Sequence, residues 1–147
     1  MNVEGSAHIK VQFVMGKNYN IARMLPVGSA LVCSDNSGAK KLQIIGVLGT
    51  QSTRKRRVSA GVGSVVSVRI SKGLYSMKRK VRHALIIRQK YAYLRKTGPY
   101  MGKIRFTDNA AILLSEKKEV LKSVIKGVIA KEVTSIKKYS DLKGVTR

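Results

Sequence analysis

The sequence predicts a mainly β protein, one small barrel with a short helical tail, and three observations carry that expectation. Five or six short apolar runs succeed one another between Gly, Pro, Asn and Asp breaks, the spacing of a small barrel rather than of a helical bundle. Within the runs apolar and polar residues alternate. The plainest case is Ser64–Ile70, where Val66, Val68 and Ile70 share one face and Val65, Ser67 and Arg69 the other. A helical period is confined to the tail. At 147 residues the chain fits one domain able to bury roughly 68 to 70% of its unfolded surface, and a hydrophobic fraction of 44% excludes a disordered chain.

Residues 1–24 show no sustained period and read as an N-terminal extension that becomes ordered against a partner, with His8 a surface side chain; residues 25–147 form the domain. From Leu25, LPVGSALVCS and KKLQIIGVLG read as a hairpin joined by Asp35-Asn36-Ser37-Gly38. The Asp carboxylate can accept from the backbone two residues on, and the Gly can take a positive φ, so these four residues are structural. Lys40 and Lys41 follow on opposite faces of the returning strand, and at least one must face solvent or phosphate. Residues 49–63 read as a glycine-bounded loop with Arg54, Lys55, Arg56 and Arg57 at its tip. Gly61-Val62-Gly63 is a turn, since a nucleotide fingerprint needs a third glycine opening a helix.

Residues 71–82 are too basic and glycine-interrupted for core and are expected to project as a long hairpin arm. Ala84–Tyr93 is the next strand, its first half apolar throughout and so buried on both faces. Residues 104–115 suggest a further strand pair around Thr107-Asp108-Asn109. In the tail, Val120, Leu121, Val124, Ile125, Val128 and Ile129 recur at intervals of four, which favours helix. Gly127 interrupts that stripe at a cost of about 1 kcal/mol, giving two short pieces rather than one long one.

Charge narrows the function. The chain holds 30 Lys and Arg against 7 Asp and Glu, a formal net charge of +23, and between Asp35 and Asp108 there is no acid but 18 of the 30 cations. Self-repulsion on that scale is tolerated when a polyanion screens it, and nucleic acid is the first candidate. An anionic membrane calls for a basic amphipathic helix backed by Trp, Phe and Leu, whereas the chain has no Trp and 2 Phe, so no membrane partner is expected. The cations expected to meet RNA are Lys40, Lys41, Arg54, Lys55, Arg56, Arg57, Lys72, Lys78, Arg79, Lys80, Arg82, Arg88, Lys90, Arg95 and Lys96. Tyr75, Tyr91, Tyr93 and Tyr100 lie among them; such rings can stack unpaired bases, although at least two of the four are expected to pack within the sheet.

Enzymatic chemistry is poorly supplied. Two His, one Cys and a central region without acids provide no nucleophile with a base and no metal-ligand set, so no catalysis, metal or cofactor is expected. Cys33 lies in an apolar strand as a small buried hydrophobe, and a single cysteine excludes an internal disulfide and suits a reducing compartment. With no secretory signal or membrane-length apolar run, the expected location is the cytosol or nucleus.

Several segments in order carry a resemblance. They are Leu25-Pro26-Val27-Gly28, Cys33-Ser34-Asp35-Asn36-Ser37-Gly38-Ala39-Lys40, Ala60-Gly61-Val62-Gly63, Ala84 to Gln89, Asp108-Asn109-Ala110, Lys126-Gly127 and Ala130-Lys131-Glu132. Over about residues 25–134 the chain resembles the family of universal ribosomal protein fourteen of the large subunit, in its eukaryotic and archaeal branch (ribosomal protein twenty-three in older eukaryotic naming). The resemblance implies a closed five-stranded β-barrel with a projecting β-ribbon and two short C-terminal helices. It further implies a structural, non-enzymatic constituent of the cytosolic large ribosomal subunit, assembled in the nucleolus if the cell is eukaryotic.

Its implied partners are large-subunit rRNA, small-subunit rRNA across the interface, neighbouring ribosomal proteins and, at roughly residues 116–143, the anti-association initiation factor. Departures from the family pattern are a few extra residues between Gly98 and Phe106, Thr97 before Gly98, Val128 in place of a proline, and Arg82-His83 in place of His-Pro. A function of another class is a free basic β-barrel module that binds single-stranded RNA by tyrosine stacking.

Overall fold

In a computed structural model, the described residues are 21–50, 57–95, 101–122, 124–142 and 145–146. The strands are β1 (Leu25–Pro26), β2 (Ala30–Cys33), β3 (Ala39–Val47), β4 (Ser59–Ala60), β5 (Val65–Gly73), β6 (Val81–Arg88), β7 (Tyr93–Arg95), β8 (Gly102–Ile104), β9 (Ala110–Leu114), β10 (Val128–Ile129) and β11 (Val145–Thr146). One α-helical turn, α1 (Lys131–Thr134), and a 3₁₀ turn at Lys137–Tyr139 lie between β10 and β11. Five strands close a barrel in the order β2-β3-β5-β6-β9. All neighbours are antiparallel except the closing pair, where Val32 lies opposite Ala110 in parallel register between β2 and β9.

Alternation places the core. Leu42 and Ile44 of β3, Val66, Val68 and Ile70 of β5, Ala84 and Ile86 of β6, and Ala111 and Leu113 of β9 fill the barrel interior. The opposite residues, Val65, Leu85, Ile87, Ala110, Ile112 and Leu114, are buried too, under Ile129, Ala130, Val133 and Tyr139 of the C-terminal segment. Strands with both faces covered read as continuous apolar runs, which is why Ala84–Ile87 and Ala110–Leu114 do not alternate. Each fully buried Leu or Ile contributes about 1.5–3 kcal/mol relative to an exposed one.

Three expectations differ from the fold. The residues expected to form a projecting arm are held on the barrel instead. The end of β5 pairs with β3, Ala39 opposite Gly73 and Lys41 opposite Lys72. The turn that follows is closed by Leu74 N to Gly38 O (3.0 Å), Lys78 N to Leu74 O (3.0 Å) and Arg79 N to Ile70 O (2.9 Å). Strands β8 and β9 do not pair with each other: β8 pairs with β7 to make a separate two-stranded ribbon, and β9 enters the barrel.

The Val120–Ile129 stripe is not helical. Val120 and Ile125 form isolated bridges to Leu114 and Asp35, and both short helical turns fall later, at Lys131–Thr134 and Lys137–Tyr139. The apolar positions that mimic a helical face pack instead as a strap across the barrel, with Val120 and Ile125 against the outer cluster and Leu121 and Val124 exposed. The last residues of the predicted extension also lie on the barrel. Ile21 and Ala22 pack on the outer cluster, and Gln89 Nε2 donates to Ala22 O at 3.1 Å.

Candidate nucleic-acid interface

Carboxylates decide which cations are free. Asp35 is buried in the β2–β3 turn, where its Oδ1 accepts from Ser37 N (3.1 Å), the Ser37 hydroxyl and Cys33 Sγ (3.1 Å), while Oδ2 accepts from Leu113 N of the adjacent strand β9 at 2.7 Å. Burial first, then the Asp35 carboxylate, pushes the Cys33 thiol up to about 12, so it is an inert core residue.

Arg88 is a hub. Its Nε donates to Asp108 Oδ1 (3.0 Å), NH2 to Asp108 Oδ2 (3.1 Å) and Ser34 Oγ (2.8 Å), and NH1 to the carbonyls of Lys126 (3.2 Å) and Val128 (2.8 Å). One guanidinium thus ties β6, the β2–β3 turn, the start of β9 and the C-terminal strap. Gly127, at φ +85°, passes so close that a Cβ there would sit 2.6 Å from Arg88 NH1.

Arg95 and Glu132 form a second buried pin between the β7–β8 ribbon and α1. Arg95 Nε and NH2 donate to Glu132 Oε1 (2.6 Å) and Oε2 (2.8 Å), and the Tyr93 hydroxyl donates to Oε2 at 2.8 Å. Burial alone would raise the Glu132 carboxyl, but the bonds from Arg95 and Tyr93 outweigh it and hold the group below its ordinary value. Burial, then the neighbouring carboxylate, raises the Tyr93 hydroxyl.

Arg88 and Arg95, two of the cations expected to meet RNA, are buried and paired with acids, Arg88 with Asp108 and Arg95 with Glu132. Tyr93, one of the candidate stacking rings, is buried as well, whereas Tyr75 and Tyr91 are exposed; Tyr100 lies outside the described residues.

The other predicted cations are distributed over the barrel exterior. Lys40, Lys41, Arg57, Lys72, Lys78, Arg79, Lys80 and Lys90 are exposed and Arg82 is half-buried, while Arg54, Lys55, Arg56 and Lys96 lie outside the described residues. Lys40 and Lys41, expected on opposite faces, are both exposed because the β3–β5 register shifts on either side of Lys41. Lys41 sits directly opposite Lys72, a like-charge cross-strand pair that opposes folding until an anion neutralises it. Lys78, Arg79 and Lys80 on the adjoining turn are exposed as well.

A second basic region surrounds a groove of about 520 Å³ between the β6–β7 link and the β8–β9 link, lined by Met24, Leu25, Lys90, Tyr91, Lys103 and Arg105 with Ala92 and Asn109. Lys103 and Arg105 were not among the predicted contacts. They follow Lys96 within the same acid-free interval, so the signal that selected their neighbours also covered them. His83 lies by another cleft, with Lys80, Arg82 and Glu116, and its Nδ1 is buried without a hydrogen-bond partner among the described residues.

Comparison with known proteins fits this geometry. The family model described as Ribosomal protein L14p/L23e matches residues 24–143. The chain is 43% identical over 117 residues to a protein of Methanococcus vannielii named Large ribosomal subunit protein uL14, covering 80% of this chain and 86% of that one. The chain belongs to the Ribosomal protein L14p/L23e family. This is a family of structural proteins rather than enzymes.

The segments that carry the L14p/L23e resemblance prove to be fastenings of the fold. Asp35 fastens the first turn to β9, Arg88 and Asp108 clamp the strap through the carbonyls beside Gly127, and Asn109 Oδ1 accepts from Lys90 N at 2.6 Å. Gln89 donates to Ala22 O and Tyr91 O, both at 3.1 Å, and Glu132 receives Arg95. The exposed cations lie mostly outside those segments.

Proposed function

We propose that this structural protein of the large ribosomal subunit binds large-subunit rRNA through the exposed cations of the barrel exterior, and that it meets small-subunit rRNA at the subunit interface. As a ribosomal protein it acts on the ribosome, in the cytoplasm. The observation that carries the reading is the separation of charge. Asp35, Asp108 and Glu132 are engaged in bonds that hold the fold together, leaving Lys40, Lys41, Lys72, Lys78, Arg79 and Lys80 on the barrel with no acid beside them in the sequence. Contacts of this kind go to phosphate and position the protein, so the shape of folded RNA supplies the specificity.

Full-length protein binding to deproteinised large-subunit rRNA should weaken as salt rises, with a log–log slope of about 0.7–0.9 per phosphate neutralised, and Lys41→Ala with Lys72→Ala should lower that slope by about 1.5. Binding that is flat in salt, or failure to co-sediment with large subunits at moderate salt, refutes the reading.

The C-terminal strap differs in character. The exposed acids among the described residues, Glu116, Glu119 and Asp141, are gathered there with exposed Leu121 and Val124. Mixed charge around apolar side chains suits a protein partner, and we assign residues 116–143 to neighbouring ribosomal proteins and to the anti-association initiation factor. Leu121→Asp with Val124→Asp should reduce capture of that factor by isolated subunits without changing rRNA affinity. Unchanged capture refutes the assignment.

A further inference from the structure

We infer that the groove beside Tyr91 is a binding site for one unpaired nucleotide of RNA, its base stacked on the Tyr91 ring and its phosphate held by Lys90, Lys103 and Arg105. The inference rests on the rRNA-binding reading and adds to it a site that acts by stacking rather than by charge alone.

Three features of the groove define the ligand. It is a concavity of about 520 Å³, and its lining contains three cations and no carboxylate. An anion is therefore favoured; the nearest acid, Asp108, which lines the adjoining cavity with Lys103 and Arg105, is bonded to Arg88 through both oxygens. Apart from Asn109, the rest of the lining is apolar or aromatic: Met24, Leu25, Ala92 and the half-exposed Tyr91. A flat, apolar-faced anion satisfies both halves, and a nucleotide presents a base and a phosphate together. A bare phosphate would leave the ring and Met24 facing water, and an acidic peptide would offer no matching flat face.

The third feature is a hydrogen-bonding group whose orientation the structure fixes. Lys90 N–H donates to Asn109 Oδ1 at 2.6 Å, which assigns the amide oxygen to the backbone and leaves the Asn109 NH2 group as a donor at the groove wall. It matches the acceptor atoms of a base edge. The main chain that carries Tyr91 is held as well, since its carbonyl accepts from the buried Gln89 amide at 3.1 Å. A backbone fixed before binding leaves only the two side-chain torsions of the tyrosine to be ordered when a base settles on it. Arg88 and Arg95 line the adjoining cavity with Lys103 and Arg105, but their guanidinium groups are paired with Asp108 and Glu132, whereas the groove cations have no acid in the groove lining.

The test is titration of full-length protein with deproteinised large-subunit rRNA at several salt concentrations, with Tyr91→Ala, Tyr91→Phe and Lys103→Ala. Tyr91→Ala should weaken binding by about 5- to 150-fold, the value of one stacked base, at an unchanged salt slope. Tyr91→Phe should stay within about 3-fold of the parent, because the ring does the stacking. Lys103→Ala should lower the slope by about 0.7.

If the parent binds with a steep salt slope and Tyr91→Ala does not weaken it, the site is refuted and the rRNA reading stands; if the parent does not bind, both fall. Equal losses in Tyr91→Ala and Tyr91→Phe overturn stacking in favour of a hydroxyl contact. A Tyr91→Ala defect seen with intact subunits but absent with deproteinised rRNA overturns the nucleotide in favour of a protein neighbour.

Discussion

Removing the Glu132 carboxylate should destabilise the fold far more than an ordinary salt bridge would. In Glu132→Ala the Arg95 guanidinium, 3% exposed and bonded through both Nε and NH2, is left as an unpaired buried charge that cannot shed its proton, and the Tyr93 hydroxyl loses its acceptor. Breaking one partner of a buried pair costs about 3–5 kcal/mol. At about 2–4 °C per kcal/mol for a chain of this size, the melting temperature should fall by about 10 °C. Replacing both residues, Arg95→Leu with Glu132→Leu, should recover most of the loss, because no charge is then stranded.

The pH dependence has a defined sign. Glu132 is held below its unfolded value of 4.5, so its contribution is present above that pH and is lost as the pH falls through the folded value; Glu132→Gln should remove that part of the acid dependence. Tyr93 is raised above its unfolded value of 10.0, so its contribution is present below pH 10 and is lost as the pH rises through the folded value. Circular dichroism melts of the parent, both single variants and the double variant decide the matter. A Glu132→Ala loss under about 1 kcal/mol, the range of an exposed ion pair, refutes the buried pin.

Three other outcomes follow from the same structure. Gly127→Ala combines a left-handed φ of +85° with a Cβ 2.6 Å from Arg88 NH1, and should cost about 3 kcal/mol in denaturant unfolding; parent-like stability would mean that the strap is not clamped there. Lys72→Glu places an acid opposite Lys41 and should raise stability by about 0.2–1 kcal/mol while weakening rRNA binding, two opposite signs checked by a melt and a titration on the same sample. Cys33, with its thiol pushed up to about 12, should resist iodoacetamide at pH 8 in the native state and react on unfolding, as mass spectrometry of the labelled chain will show.

The barrel was legible because its strands are short, bounded by turn residues and patterned for burial. Even the unalternating Ala84–Ile87 run announced its two covered faces. The strap was misread for a reason that also lies in pattern. Val120, Leu121, Val124 and Ile125 satisfy a helical period, yet Val120 and Ile125 are bridged to Leu114 and Asp35, partners far away or across a turn that no local period encodes. The arm failed similarly, since basic composition marks solvent exposure and not whether a strand leaves the sheet. Its residues are exposed as expected, but β3 holds them.

Of the candidate site, composition identified the acid-free interval but not which cations inside it are spent. Arg88 and Arg95 look like their neighbours in sequence, and only the return of Asp108 and Glu132 to them in space separates fastening from interface.

That separation explains how a chain with a net charge of +23 can fold and still keep its charge for a partner. Acids placed among the surface lysines would lower self-repulsion and blunt the attraction to RNA in the same stroke. Here Asp35 and Glu132 act in the interior and Asp108 in a half-buried position, Asp35 accepting one bond and Asp108 and Glu132 two or more from elements far apart in the chain. They fasten the scaffold without screening its exterior. Among the described residues the exposed acids, Glu116, Glu119 and Asp141, sit on the strap, interspersed with exposed Lys117, Lys122, Lys126, Lys131 and Lys138. The acid-free barrel exterior draws a polyanion before contact, while the mixed charge of the strap suits partners that carry both signs.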